Sequence, residues 1–240
     1  MAAERQVTLE VFRFDPEVDK GPRYDSFTMN VKKGMTVMEG LLHILDVQDH
    51  SLALRFACRE GVCGSCAMFI NGSYRLACQT QLEDLKGRRV WVGPLPHMPV
   101  IRDLVVDMAP FFEKVGMVMP WLEALSAPSG KEHLQSPQQR SIINEAVDCI
   151  LCGICHSSCP MTWTKKDYLG PAALTKAFRF VADSRDVAGA NRLALVNSED
   201  GVWRCRTVFN CVEACPKNIN PTDAIESLRR MLVVGRRKSR

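Results

Sequence analysis

The chain has 240 residues, of which 46% are hydrophobic and 24% are charged, and its formal net charge is +4. This is the composition of a folded globular protein, and it excludes a disordered chain. The charge is too small to indicate a nucleic-acid-binding protein, so we expect no nucleic-acid partner. No uninterrupted apolar run approaches the roughly 20 residues of a membrane-spanning helix.

The N-terminal half is predicted to be a small mixed α/β unit. Thr36 and Glu39 form a capping box that opens a helix, and Asn71-Gly72 is a hairpin turn signal. Alternating polar and apolar residues predict strands at residues 6–14, 24–31, 67–70, 73–77 and 89–92. Two strands, a helix and further strands follow the order of the β-grasp fold of plant-type ferredoxins. The first strand begins so early that no export signal is expected.

A proline-rich segment separates the two predicted domains. Residues 93–99 (GPLPHMP) contain three prolines, which break regular structure. We therefore place an N-terminal domain at residues 1–99 and a C-terminal domain at residues 100–240. Helical periodicity beyond this point predicts helices at residues 101–115, 136–147, 171–182, 187–196 and 221–233. The predicted fold class is α+β, with a β-grasp domain followed by an all-α domain.

Eleven cysteines stand out, because all of them fall in three short clusters. An odd number without an export signal argues against a disulfide framework. Structural thiols would be scattered through the core, since free cysteine is a small buried hydrophobe. The clustering instead indicates metal ligation.

The first cluster reads C-x4-C-x2-C with one further cysteine downstream, which is the plant-type [2Fe–2S] spacing. Its members are Cys58, Cys63, Cys66 and Cys78. Gly61 and Gly64 would let the loop wrap closely around the cluster, with backbone N–H groups directed at sulfur. A structural zinc site is the alternative, although zinc loops more often pair two C-x2-C motifs.

The second cluster reads C-x2-C-x2-C-x3-C-P, the bacterial ferredoxin signature in which the fourth cysteine binds the other of two clusters. The third cluster keeps this register, but Val208 replaces its second cysteine. In this arrangement the last cysteine of each motif binds the cluster of the other motif. The [4Fe–4S] cluster is therefore assigned to Cys149, Cys152, Cys155 and Cys215. Valine cannot bind iron, so a [3Fe–4S] cluster is left with Cys159, Cys205 and Cys211. Every cysteine is then used.

Three clusters on one chain indicate electron transfer without a catalytic pocket. The sequence contains neither G-x-G-x-x-G nor a P-loop, and its five histidines are scattered. No catalytic residue is therefore expected on this chain, and the substrate chemistry is assigned to a partner.

Nearly the whole chain resembles the iron–sulfur subunit of succinate dehydrogenase and fumarate reductase, the enzymes of respiratory complex II. The matching stretches are RFACREGVCGSCAM (55–68), PLPHMPVIRDLVVDM (94–108), CILCGICHSSCP (149–160), GPAAL (170–174), SRD (184–186) and CRTVFNCVEACPKNINPT (205–222). The resemblance implies that the [2Fe–2S] end faces a flavoprotein subunit with covalent FAD, where succinate and fumarate interconvert. The [3Fe–4S] end would face membrane-anchor subunits with haem b, and a quinone.

The resemblance also implies a quinone site after Cys159. Its candidate residues are Pro160, Trp163, Arg206 and Val208. Ubiquinone-type members often carry paired tryptophans after the proline and a histidine in the last motif. This chain has Trp163 alone, placed by aligning back from Tyr168, and Arg206 in place of the histidine. These departures favour menaquinone, and a packing role for Trp163 is the alternative.

The function implied is that of a succinate:quinone oxidoreductase subunit, held peripherally on the cytoplasmic face of a bacterial membrane. Three alternatives stay open. A quinol:fumarate reductase would use the same clusters in reverse, a soluble dehydrogenase would lack the anchor, and a zinc-stabilised interaction module would carry no electrons.

Overall fold

The computed structural model describes residues 5–124 and 132–238, with side chains as far as residue 234. The chain divides into two compact units. The N-terminal unit comprises Met1–Met108 with Ile150–Ser157, and the C-terminal unit comprises Ala109–Cys149 with Ser158–Arg240. The break after Met108 lies just beyond the boundary placed between residues 99 and 100, which stays a prediction.

A five-stranded sheet forms the N-terminal unit, with the strand order β2-β1-β5-β3-β4. The strands are β1 (Arg5–Arg13), β2 (Arg23–Val31), β3 (Ala67–Ile70), β4 (Ser73–Leu76) and β5 (Arg89–Gly93). β1 pairs antiparallel with β2 and parallel with β5. Helix α1 (Val37–His43) lies in the connection from β2 to β3. Apolar residues of β1, α1 and β5 are buried together, among them Val7, Leu9, Leu41 and Val92. The predicted β-grasp fold is confirmed.

Two local signals in the sequence have the expected geometry. Thr36 caps α1 by accepting a hydrogen bond from the Glu39 N–H, and the Glu39 carboxylate accepts one from the Thr36 N–H at 2.7 Å. Asn71 and Gly72 have φ values of 47° and 77°, as a type I′ hairpin turn requires at both central residues. The capping box and the hairpin turn are therefore confirmed.

The helix predicted at residues 101–115 is wrong in its first half. Strands β6 (Val100–Arg102) and β7 (Val105–Val106) form a small hairpin there, and α2 (Ala109–Met117) begins only afterwards. Buried Asp103 turns the chain with a φ of 45°. Its carboxylate accepts hydrogen bonds from the N–H groups of Phe14 and Ala53 and pairs with Arg13. These long-range contacts outweigh the helical spacing of the apolar residues.

The described residues of the C-terminal unit form helices joined by loops, with no strand among them. It contains α2, α3 (Pro137–Val147), α5 (Pro160–Thr164), α6 (Gly170–Val181), α7 (Gly189–Val196), α8 (Asn210–Glu213) and α9 (Pro221–Lys238), whereas α4 (Ile154–Ser157) belongs to the N-terminal unit. The other four predicted helices are confirmed, with ends shifted by a few residues. Helix α6 is central, because it packs against α2, α3, α7 and α9. None of the described helices is both long and apolar enough to cross a membrane.

We predict that Gly201→Ala destabilises the C-terminal unit, because an added Cβ would lie 2.1 Å from the Val196 carbonyl oxygen. A backbone atom cannot rotate away, so the loss in the free energy of unfolding should lie at the upper end of the usual range for single substitutions, about 3 kcal/mol. Gly116→Ala is the matched control, since its Cβ meets nothing within 4 Å and alanine favours helix. Thermal unfolding monitored by circular dichroism should show a lower midpoint for Gly201→Ala only. Equal midpoints for the two variants would contradict the packing described here.

Candidate iron–sulfur sites

The β3–β4 hairpin brings two cysteines of the first cluster together. Cys66 immediately precedes β3, and Cys78 lies in the turn that follows β4. The register pairs Ala67 with Leu76, so the two ends of the hairpin meet. The Cys66 and Cys78 Sγ atoms are 3.3 Å apart, and both residues are free cysteines. The hairpin therefore fixes half of a four-cysteine set before the loop contributes the rest.

The loop before β3 wraps around the sulfur of Cys58. Its Sγ accepts hydrogen bonds from the N–H groups of Glu60, Val62 and Cys63, at 3.4, 3.3 and 3.2 Å. The wrapping needs left-handed backbone at Arg59, Gly61 and Gly64, whose φ values are 58°, 71° and 73°. Several amides converging on one sulfur suit a thiolate that carries negative charge. The loop thus fits the [2Fe–2S] cluster that its spacing predicts.

The thiols of this set differ in how readily they ionise. Hydrogen bonding from the Ser65 hydroxyl lowers the pKa of Cys63 to about 6, whereas burial raises the pKa of Cys66 to about 12. The lowered pKa favours the thiolate form of Cys63, which is the form that binds iron. Cys66 would ionise only if a nearby positive charge offset its burial, and a bound iron supplies such a charge.

A second cysteine loop belongs to the N-terminal unit. Cys152 lies beside Gly153, and Cys155 lies on α4. Leu151 and Gly153 have φ values of 54° and 80°, which gives this loop the same tight left-handed turns as the first. The two loops touch, because a Cβ on Gly64 would lie 2.7 Å from the Cβ of Cys152.

Three cysteines of the C-terminal unit line one pocket. Cys159 is the N-cap of α5, Cys205 follows the turn Val202–Arg204, and Cys211 lies on α8. These are the three that the sequence assigns to a [3Fe–4S] cluster. The loop between the last two turns through Thr207 and Phe209, with φ values of 54° and 67°.

Hydrogen bonds order this pocket around its sulfur atoms. The Cys205 Sγ accepts the Thr207 N–H at 3.4 Å, and the Cys211 Sγ lies 3.5 Å from the Thr222 hydroxyl oxygen. The Arg229 guanidinium stabilises the backbone at Cys205 by donating a hydrogen bond to the Cys205 carbonyl oxygen at 2.7 Å. Burial raises the pKa of Cys159 and raises that of Cys211 to about 11. The donor set is three sulfur atoms with amide support, which fits an iron–sulfur cluster.

The two remaining cysteines lie at helix ends of the C-terminal unit. Cys149 follows α3, and its carbonyl accepts a hydrogen bond from the Lys176 ammonium at 3.1 Å. Cys215 follows α8, and its N–H donates to the Val212 carbonyl at 3.2 Å. Within the described residues, no three His, Cys, Asp or Glu side chains converge closely enough for a single metal ion.

Three of the four residues predicted for a quinone site lie on the three-cysteine pocket. Pro160, Arg206 and Val208 line it, and the Val208 side chain is 49% exposed. Trp163 lies farther along α5, is 41% exposed, and does not line the pocket. Their role as quinone contacts stays a prediction.

Sequence reasoning missed Tyr168 at this pocket. Tyr168 lines it and is completely buried, and its hydroxyl has no hydrogen-bond partner in the part of the chain that the structure describes. Burial, followed by the charge of Cys205, raises its pKa. In the sequence Tyr168 served only as an alignment position, because no ligand spacing marks a tyrosine.

Comparisons with known proteins agree with this division of sites. Family models described as a 2Fe-2S iron-sulfur cluster binding domain and a 4Fe-4S dicluster domain match residues 8–113 and 141–216. The succinate dehydrogenase iron-sulfur subunit of Paracoccus denitrificans is 40% identical over 227 residues, which cover 94% of this chain and 87% of the relative. The mitochondrial succinate dehydrogenase [ubiquinone] iron-sulfur subunit of Dictyostelium discoideum is 41% identical over 236 residues, covering 94% and 82%.

A solved structure is similar over the full length. It is a chain of the Mycobacterium smegmatis Sdh1 complex in the apo form, with a TM-score of 0.87 and 27% identity. The match covers 99% of each chain. The likeness therefore extends to both units, beyond the cysteine motifs alone.

We predict that Gly64→Ala lowers the iron content of the purified protein. Its Cβ would lie 2.7 Å from the Cys152 Cβ and 2.9 Å from the Cys152 Cα, so the two cysteine loops could not stay in place. Gly72→Ala is the matched control, because its φ of 77° is equally left-handed while nothing lies within 4 Å. Iron analysis and visible absorbance should fall for Gly64→Ala and stay near wild type for Gly72→Ala. Equal iron contents in the two variants would show that the loop contact is dispensable.

Proposed function

The chain belongs to the family of succinate dehydrogenase iron–sulfur subunits. We propose that it accepts electrons from a flavoprotein subunit, which oxidises succinate, and passes these electrons on to a membrane quinone. The chain is one part of a multi-subunit oxidoreductase, and its own role is electron transfer. The observation that carries the proposal is that all eleven cysteines lie in three ligand motifs. Each motif contains left-handed turns, among them those at Gly64, Leu151 and Thr207. When bound, iron–sulfur clusters supply one-electron oxidation and reduction.

The ligand assignment follows the spacing of the cysteines. A [2Fe–2S] cluster is assigned to Cys58, Cys63, Cys66 and Cys78. A [4Fe–4S] cluster is assigned to Cys149, Cys152, Cys155 and Cys215. A [3Fe–4S] cluster is assigned to Cys159, Cys205 and Cys211, and the pocket that these three line supports this last set. The chain's residues hold the sulfurs, donate hydrogen bonds to them and exclude water around them.

Each end of the proposed series of three clusters would face a different partner subunit. A flavoprotein with covalent FAD would meet the [2Fe–2S] end, and a membrane anchor carrying haem b would meet the [3Fe–4S] end. Exposed apolar side chains near the three-cysteine pocket favour a permanent contact there, since Val208 and Phe209 are each about half exposed. Pro160, Trp163, Arg206 and Val208 would border the quinone, for which menaquinone is favoured. The subunit would then be peripheral, on the cytoplasmic face of a bacterial membrane.

Co-purification tests this assembly directly. Extraction in mild detergent should yield the chain with a flavoprotein, an anchor containing haem b, and menaquinone. High salt alone should not release the chain, because permanent interfaces are large and apolar. Quantitative release by salt, or purification without a flavoprotein, would contradict the proposed partners.

We predict that Phe209→Ser weakens the attachment to the anchor. Phe209 is 47% exposed beside the three-cysteine pocket, so serine would remove apolar area from the proposed interface. Leu134→Ser is the matched control, because Leu134 is 86% exposed and does not line that pocket. Sedimentation with membranes should fall for Phe209→Ser and not for Leu134→Ser, while both variants keep their paramagnetic cluster signals. Unchanged sedimentation of Phe209→Ser would place the anchor elsewhere.

We predict that Val208→Cys converts the [3Fe–4S] cluster to a [4Fe–4S] cluster. Val208 lines the same pocket as Cys205 and Cys211, in the position where the ferredoxin register has a cysteine. The added thiolate and iron should lower the reduction potential, so electron delivery to quinone slows while succinate oxidation with an artificial acceptor persists. Val208→Ala is the control for loss of the valine itself. A fully assembled Val208→Cys protein with an unchanged oxidised [3Fe–4S] signal would contradict the register.

A further inference from the structure

Tyr168 buries a hydroxyl group that the surrounding protein leaves unsatisfied. Its side chain is completely buried, and its Oη has no hydrogen-bond partner among the side chains described, those of residues 5–124 and 132–234, or the backbone that accompanies them. A buried hydroxyl without a hydrogen bond is costly, and native structures seldom retain one without a reason. Because the described residues offer the Tyr168 hydroxyl no partner, a group bound in the pocket is the candidate for one.

The surroundings of Tyr168 show where that partner lies. The pocket that it lines also contains Cys159, Cys205 and Cys211, together with apolar residues such as Pro171 and Ile225. Two other buried or half-buried polar groups of this pocket have partners within the chain. The Thr222 hydroxyl lies 3.5 Å from the Cys211 Sγ, and the Asn210 side-chain amide donates to the Ser158 carbonyl at 3.2 Å. The hydroxyl of Tyr168 has no such partner among the described residues, so it can donate to a group held in the pocket.

We propose that the Tyr168 hydroxyl donates a hydrogen bond to a sulfur atom of the cluster held by Cys159, Cys205 and Cys211, and so raises its reduction potential. Tyrosine is a protonated donor at neutral pH, and cluster sulfurs accept such bonds. The inference rests on the [3Fe–4S] assignment proposed above. It makes Tyr168 a positioning residue that tunes the cluster and does not hold it.

The direction of the effect follows from charge. Reduction adds an electron, and part of its negative charge resides on the sulfurs. A hydrogen bond to a more negative acceptor is stronger, so the donor stabilises the reduced state more than the oxidised state. The interior of the unit has a low dielectric constant, which strengthens this difference. Loss of the hydroxyl should therefore lower the midpoint potential.

The test compares Tyr168→Phe with wild type in the assembled complex. Phenylalanine keeps the ring and removes only Oη, so the oxidised [3Fe–4S] signal should keep its amplitude. A redox titration of that signal should show the equilibrium shifted about tenfold towards the oxidised cluster. For a one-electron couple this lowers the midpoint potential by about 59 mV. Pulsed paramagnetic resonance in D2O should show that one exchangeable proton coupled to the wild-type cluster is missing from the variant.

Tyr24→Phe is the matched control, because Tyr24 is 47% exposed on the sheet of the N-terminal unit. It should leave the [3Fe–4S] potential unchanged. An unchanged potential and proton coupling in Tyr168→Phe would overturn the inference while the cluster assignment stands. Loss of the cluster in Tyr168→Phe alone would also overturn it, because the hydroxyl would then be needed for assembly. Absence of any [3Fe–4S] signal in wild type would overturn both the assignment and the inference.

Discussion

Tight turning of the backbone around sulfur is the constraint on which the rest of this structure depends. A multi-iron cluster requires several thiolates at one place, and amide N–H groups must reach the same sulfurs to stabilise their charge. The cysteine loops meet this requirement with left-handed backbone even at residues that have side chains, namely Arg59, Leu151, Thr207 and Phe209. Each such residue costs about 1–2 kcal/mol. The surrounding sheet and helices have to hold these turns, and clusters bound at these loops would compensate for them.

The ionisation of the cysteine thiols also depends on a bound cluster. Burial raises the pKa of Cys66, Cys159 and Cys211, so these side chains are neutral in the protein alone. Iron binding requires the thiolate, and the charge of iron makes that ionisation favourable. Cluster binding would therefore be coupled to the ionisation of these thiols, as in other metal-binding proteins. The hydroxyl of Tyr168 fits this account, because it too lacks a partner within the described protein.

Local signals predicted most of the fold. The alternation of β1, the capping box at Thr36 and the turn at Asn71-Gly72 depend on neighbouring residues, which a sequence shows directly. The hairpin of β6 and β7 depends on Asp103, whose partners Phe14 and Ala53 are distant in the chain. No local pattern contains such contacts, so apolar spacing alone led to a helix.

The candidate sites divide in the same way. Cysteine spacing identifies ligands because the geometry of the cluster fixes the spacing, and Val208 is visible as a break in that register. Tyr168 lies in the connection between α5 and α6 and reaches the pocket through tertiary packing, and no motif records its role. Likewise, the sequence did not predict that residues 150–157 group with the N-terminal unit, since this follows from contacts with residues such as Gly64.

The central claim is that this chain carries [2Fe–2S], [4Fe–4S] and [3Fe–4S] clusters together. Paramagnetic resonance of the purified complex, combined with iron analysis of this subunit, tests that claim most directly. The account predicts a [3Fe–4S] signal in the oxidised protein, a [2Fe–2S] signal on reduction, and about nine irons per chain from the three ligand sets. Zinc in place of iron, or an oxidised protein without a [3Fe–4S] signal, would contradict it.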